Sequence, residues 1–239
     1  MSTDLLLDYG RPIALLPSQG VVLLPYGAQP MYFFEPRYTQ MIERCLAASS
    51  TGDVAHADPI AVAVLEPGAN AEDESPALKS AVCIGRIHEH VALSDGRHNV
   101  ILRGVARASI DSIDEPSGDR LFRRAWLRPL EGLTSDEPPM LTFRERVREL
   151  MAGPRLRRMV SADAVLECID RDEVPTSVLI ELVGFAVLLD EEARYGVLAE
   201  ADCTQRAAIV DRALMDLDQL IRSVDRQRHL SWPKGLSFN

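Results

Sequence analysis

The sequence predicts an α+β chain, with a strand-rich first half that curls into a small barrel and a second half that is a helical bundle. Three observations predict it. Up to about residue 130, apolar residues come in short runs or alternate, and an Asp-Gly pair joins the two longest runs. Glu131 to Pro139 (EGLTSDEPP) is polar, ends in proline and has no periodicity, which marks a boundary. Beyond it, apolar residues recur at helical spacing. The expected units are 12–131 for the barrel, 140–226 for the bundle and 227–239 for a tail.

Ile13–Leu16 reads as a first strand stopped by Pro17, Val21–Leu24 as a second stopped by Pro25 and Gly27, and Met31–Phe34 as a third. Glu35-Pro36 then opens a helix, because proline is tolerated where no N–H is needed. In that helix Tyr38, Met41, Ile42, Cys45 and Leu46 form one apolar stripe. Ile60–Leu65 (IAVAVL) is a buried strand. Residues 68–80, with Glu72-Asp73-Glu74, read as an acidic, mobile loop that contains Lys79.

Ala81–Leu93 and His98–Ile110 flank Asp95-Gly96 and form a hairpin. Strict alternation places Ile87, Glu89, Val91 and Leu93 on one face, and Arg86, His88, His90 and Ala92 on the other. Gly104 falls on the apolar face of the second strand, where a glycine predicts a bulge or sharp bend. Long, bent strands fit a barrel better than a flat sheet. Leu121–Leu130, with Trp126, supplies the last strand of a barrel of about six.

In the second half Phe143, Val147, Leu150 and Met151 make a helix stopped by Gly153-Pro154. Leu156, Met159 and Val160 start another, which Val165, Cys168 and Ile169 continue or follow as a third. Pro175-Thr176 opens a helix with a broad apolar face of Val178, Leu179, Leu182, Val183, Ala186 and Val187. A short helix from Asp190 leads to a last one over Thr204–Val224, and the tail after Arg228 reads as poorly tied down.

Composition narrows function. Net charge is −10, with 12 basic against 16 acidic residues through Pro129 and 14 against 20 from Leu130. Neither half is basic, which weighs against nucleic acid as a general partner. The local arginine crowding from Arg120 to Arg158 reads as solvated faces paired with Asp119, Glu145 and Glu149, rather than as a phosphate-binding patch. No apolar run reaches the roughly 18 residues of a membrane span, and MSTDLLLDYGRP lacks the pattern of a signal peptide, so a cytoplasmic protein is expected. Cys45, Cys83, Cys168 and Cys203 are widely spaced and read as core residues of a reducing compartment.

Taken together, the segments VVLLP, FFEPRYTQMIE and LSDGRHNVILRGVARASI, with Gly85, Asp95, Gly96, Arg97, Arg103, Gly104 and Arg107 in place, resemble the N-terminal domain of Lon proteases. RYGVLAEADCTQRAAIVDRAL, with Arg206, resembles the helical half of the same domain. The likeness covers about residues 12–225. It implies a PUA-like pseudo-barrel followed by a helical bundle, of the free-standing kind without ATPase and protease domains. Its partners would be unfolded or client polypeptides, with docking onto a protease or chaperone as a further option.

Chemistry is sparse. No G-x-x-x-x-G-K-[ST] loop is present to hold nucleotide phosphates, and no G-x-S-x-G elbow. Only Lys79 and Lys234 are available for a Ser-Lys dyad, and neither is placed for the burial that depresses a lysine pKa. His88, His90 and His98 read as a polar sheet face rather than a metal site. The expected catalytic, metal and cofactor sets are empty. Glu35 and Arg37 read as structural, with Glu35 at the exposed N–H groups of the helix start and Arg37 paired with a strand carboxylate. The peptide-binding candidates are Tyr26, Met31, Tyr32, Phe34 and Trp126. Met31 and Phe33 share one face and Tyr32 and Phe34 the other, so one pair is core and the other is free to line a groove toward the bundle. The alternative function is RNA binding by a PUA-like barrel, and a hydrolase with an unrecognised site ranks third.

Overall fold

The structure is a computed structural model that describes residues 7–49, 53–70, 72–130 and 139–229. Six strands come first: β1 (Ile13–Ser18), β2 (Ala28–Phe33), β3 (Ile60–Leu65), β4 (Leu78–Ala92), β5 (His98–Asp114) and β6 (Arg124–Pro129). Helix α1 (Pro36–Ala47) lies between β2 and β3. The second half holds α2 (Pro139–Ala152), α3 (Ala162–Asp170), α4 (Thr176–Val187), α5 (Glu191–Ala199) and α6 (Cys203–His229). Most of the 131–139 boundary, and the tail from residue 230, lie outside the described residues.

The sheet order is β2-β5-β4-β3-β1-β6, and β6 also pairs with β5. Five strands therefore curl into a partly closed barrel, with β2 attached to β5 outside the ring. Only β1–β3 is parallel. The curl explains the uninterrupted apolar runs of β1 and β3. One face of each fills the barrel interior, through Ile13, Leu15, Ala61 and Ala63 with Val82 and Ile84. The other face, including Leu16, Val62 and Val64, joins a larger core that runs on through α1 into the bundle. A strand buried on both sides shows no alternation.

Several boundaries differ from expectation. β1 runs through Pro17 instead of stopping there. Val21–Leu24 is not a strand. It crosses the sheet as a buried irregular segment, with Leu24 fully buried in the shared core. The glycine at 104 makes that crossing possible, since a Cβ there would sit 2.1 Å from the Leu24 carbonyl oxygen. Gly104 N–H donates to the Gly27 carbonyl at 2.9 Å, and Tyr26 N–H donates to the Gly104 carbonyl at 2.8 Å. The bend expected at Gly104 is present: register shifts between the Ile84–Ala106 and Gly85–Gly104 pairs. This bulge turns Arg107 inward, where only 1% of it is exposed.

A second bulge shifts register between Ile87 and Glu89. Strict alternation fails there. Val91 is exposed, whereas His90 packs against His98. The 68–80 loop is shorter than its composition suggests, because Leu78, Lys79 and Ser80 already belong to β4. Its backbone is held by Arg37, which bonds the Asp73 carbonyl, and by Arg123, which bonds the Pro76 carbonyl.

In the bundle, Leu156–Arg158 is a single tight turn and α3 is a separate helix, with Val160 fully exposed between them. Asp190 caps α5 by accepting from Ala193 N–H, and Asp202 caps α6 by accepting from Thr204 and Gln205. α4 buries Ile180, Glu181 and Gly184 along with Leu179, Val183 and Val187, while Val178, Leu182 and Ala186 are only half-buried. On α6, Val210 and Leu214 are buried, but Val224 is exposed.

Candidate functional site

β2 pairs with β5 along one side only, with Tyr32 opposite Asn99 and Phe33 opposite His98. Along it, Phe33 is 4% exposed and Met31 packs against the core. Tyr32 and Phe34 face out, 45% and 60% exposed, with ring centroids 5.8 Å apart. The alternation read from the sequence holds, and the outward pair is Tyr32 with Phe34.

The hairpin motif completes this surface. Gly96 takes φ +80°, the left-handed turn conformation that favours glycine. Asp95 accepts from the backbone and side chain of Arg97, which holds its carboxyl below the usual range. That pairing poises the Arg97 guanidinium 5.3 Å from the Tyr32 ring centroid, a cation–π distance. A shallow pocket of about 330 Å³ opens alongside, lined by Pro30, Met31 and Tyr32 of β2 and by residues of β4 and β5, including Val91 and Asn99. No bundle residue lines it, so the groove belongs to the sheet and not to the sheet–bundle junction. Beneath it His90 Nε2 and His98 Nδ1 are 2.9 Å apart, and Glu43 of α1 lies 3.9 Å from His98 Nε2. Burial and the neighbouring His98 push His90 below the ordinary histidine pKa.

The other candidates do not join this site. Tyr26 is exposed with φ +63°, in the loop over Gly104. Trp126 pairs with Ser112, at the opposite end of β5 from Tyr32. Gly85 and Gly104 serve packing, against the Leu23 side chain and the Leu24 backbone, and Arg103 is exposed beside Ala28. The Glu35 side chain makes no cap bond. It pairs with Arg37 at 2.8 Å, so Arg37 takes this neighbour rather than a strand carboxylate.

Among the described residues the catalytic groupings weighed from the sequence are not brought together, and Lys234 lies outside the described residues. Lys79 sits on β4, not in the loop, and is bound to Glu192 over the Tyr195 ring. That bond raises its pKa, the opposite of what a nucleophilic lysine needs. Among the described residues no three His, Cys, Asp or Glu side chains come together as a metal site. The arginines of the 120–158 segment are paired mostly with distant aspartates: Arg146 with Asp211, Arg155 with Asp218, Arg158 with Asp225. The partners expected from sequence, Glu145 and Glu149, do not appear in these pairs, and Asp119 pairs with Arg44. Charges neutralised in this way leave little field for a nucleic-acid backbone.

Sequence reading missed one arrangement. At the seam between sheet and bundle, Glu181 of α4 lies between Arg107 of β5, at 2.6 Å, and Arg206 of α6, at 2.9 Å, and all three are almost fully buried. Arg107 also donates to the Leu198 carbonyl, and Arg206 to the Glu200 and Ala201 carbonyls. These acceptors lie at the C-terminal end of α5, where the helix dipole favours cations. The one available signal was a glutamate inside an otherwise apolar helix.

Fold and site thus define an α+β module in which an exposed aromatic sheet edge stands apart from a sealed seam. The sequence matches the ATP-dependent protease La (Lon) substrate-binding domain over residues 12–215. The chain belongs to that family. Among solved structures it is similar to the N-terminal domain of the Mycobacterium avium complex Lon protease, with 17% identity, TM-score 0.62, and coverage of 87% of this chain and 98% of that one. It is also similar to a Lon N-terminal domain protein from Xanthomonas campestris, with 18% identity, TM-score 0.55, and coverage of 89% and 98%. At these identities the likeness shows the fold. A search of curated protein sequences finds no match. No helix among the described residues is long and apolar enough to cross a membrane.

Proposed function

We propose that this chain is a non-enzymatic polypeptide-binding module of the cytoplasm, which holds exposed apolar segments of client proteins on the Tyr32–Phe34 edge. The single observation that carries the reading is the outward aromatic pair on a strand bonded along one side, with a shallow, mostly apolar pocket beside it. Large aromatics exposed together are unusual on a soluble surface and suit peptide contact. An extended client segment would lie along β2, with its apolar side chains over Tyr32, Phe34 and Val91. Family membership supports a protein substrate as the ligand class.

The test is titration calorimetry with a permanently unfolded protein, such as reduced and carboxymethylated lactalbumin. Tyr32→Ala or Phe34→Ala should weaken binding about tenfold, roughly 1.4 kcal/mol, without changing the melting temperature. Absence of binding heat in the unmodified chain, or unaltered affinity in both variants, overturns the reading.

A further inference from the structure

We propose that the aromatic edge selects client segments in which a lysine or arginine flanks the apolar residues, and that the His90–His98 pair relaxes this choice when it takes up a proton. The inference rests on the polypeptide-binding reading of the Tyr32–Phe34 edge and names the client class that edge prefers. It starts from the wall of the pocket beside Tyr32. Apart from the Tyr32 phenol, the ionisable side chains that line this wall are Glu89 and His90, both of β4.

The charges around the edge sort into matched couples and a remainder. Asp95 holds Arg97 beside Tyr32, and Glu35 holds Arg37 just past Phe34, so each couple is neutral as a unit. Glu89 stands exposed on the pocket wall, with no ion pair among the described residues. Glu43 of α1 lies 3.9 Å behind His98 and is itself 63% exposed. Arg103 is exposed opposite Ala28, at the far end of β2. Four residues of strand put it roughly 13 Å from Tyr32, past a Debye length of about 10 Å. At neutral pH the local remainder is therefore negative. A cationic side chain next to the client's apolar residues complements it, and an acidic one is repelled.

His90 is the adjustable part of the wall. Its Nε2 is 2.9 Å from Nδ1 of His98, and the two rings stack with centroids 5.1 Å apart. The far nitrogen of His98, Nε2, is buried without a hydrogen-bond partner, and the Glu43 carboxylate is the charge that faces it. That carboxylate favours a proton on His98 Nε2. His98 Nδ1 then accepts from His90 Nε2–H, which leaves Nδ1 of His90 as the basic nitrogen of the pair. An added proton lands there, on the ring that lines the pocket, and the bond between the rings is kept. The other titratable groups nearby are His88 and Glu89 on β4, Tyr32 on β2 and the Asp95–Arg97 couple in the turn before β5. Burial and His98 hold the His90 pKa below its ordinary value, so the wall gains this charge on acidification below about pH 6.5. The cation then offsets Glu89, and the reason to prefer a basic client is lost.

The experiment titrates the whole chain into three fluorescent peptides and reads anisotropy at about pH 7.5 and about pH 5.5, either side of the ordinary histidine pKa. The peptides share one extended sequence rich in valine and phenylalanine, flanked by lysine, glutamine or glutamate. At the higher pH the lysine peptide should bind about threefold more tightly than the glutamine peptide, and the glutamate peptide about threefold more weakly, as expected of an exposed charge contact. At the lower pH, where glutamate is still ionised, this spread should shrink. Glu89→Gln, an exposed substitution, should remove most of the spread at the higher pH. His90→Gln should hold the spread constant between the two. Equal binding of the three peptides at the higher pH, or an unchanged spread in Glu89→Gln, overturns the charge preference and leaves the edge reading standing. A spread in the unmodified chain that does not change with pH overturns the part given to His90. If none of the peptides binds, the preference and the edge reading fall together.

Discussion

The outer edge of β2 and the seam beneath α4 are both places where one element meets another, and they are built oppositely. The edge leaves two aromatic rings in water and carries its charge at the rim, on Arg97. The seam excludes water from three charged side chains and pairs them with each other and with helix-end carbonyls. A small apolar surface that stands in water without a partner gains only in proportion to the area covered, so it can bind and release. A buried charge cluster tolerates little displacement, because each separated charge meets a low dielectric. The contrast fits the recognition role proposed for the edge and gives the seam rigidity.

The largest expected effect breaks the seam. Glu181→Ala leaves two buried guanidiniums facing each other, and stability should fall by about 3–5 kcal/mol, measured by denaturant unfolding. A loss under about 1 kcal/mol would mean that water already reaches the cluster. Next is Gly104→Ala, whose Cβ would collide with the Leu24 backbone. Backbone cannot swing aside as a side chain does, so a cost of roughly 1–3 kcal/mol is expected, with the same measurement.

At the edge the expectation reverses. Tyr32→Ala and Phe34→Ala should change stability by no more than about 0.5 kcal/mol, while the client affinity falls. If either destabilises the fold as much as Gly104→Ala, the edge is packing rather than a contact surface.

The histidines sharpen the comparison through pH. His90 has a folded pKa below its ordinary value, so the unfolded chain binds the proton more readily. Its contribution is present above the unfolded pKa, about 6.5, and is lost as pH falls through the lower folded value. Melting temperature should therefore decline below about pH 6.5, and His90→Asn should flatten that part of the profile. The smallest effect belongs to the surface pairs. Arg158→Ala, which breaks an exposed pair with Asp225, should cost under about 0.5 kcal/mol and leave binding unaltered.

Much of the barrel was legible from Ile13 to Leu130 because strand pairing leaves local signs. Asp95-Gly96 marked the hairpin, Gly104 marked the bend, and the Met31–Phe34 alternation separated inward from outward rings. The misreadings share one cause. Val21–Leu24 has the composition of a strand, but its neighbour across Gly104 takes it as a buried crossing. Val91 was grouped on one face with Ile87 because nothing local announces the bulge after Ile87. In the bundle, α4 is apolar on nearly every face, so periodicity did not reveal which side carried Glu181 inward.

The sequence alone determined the α+β order, the family, the hairpin and the pairing of Tyr32 with Phe34, since each rests on residues close together in the chain. Only the tertiary structure decided that Arg107, Glu181 and Arg206 meet, that Arg44 and Arg120 flank Phe122, and that the groove belongs to the sheet. Those outcomes join residues from separate elements. Their positions depend on how two bulges turn β5 and on where the bundle docks, which local periodicity does not encode.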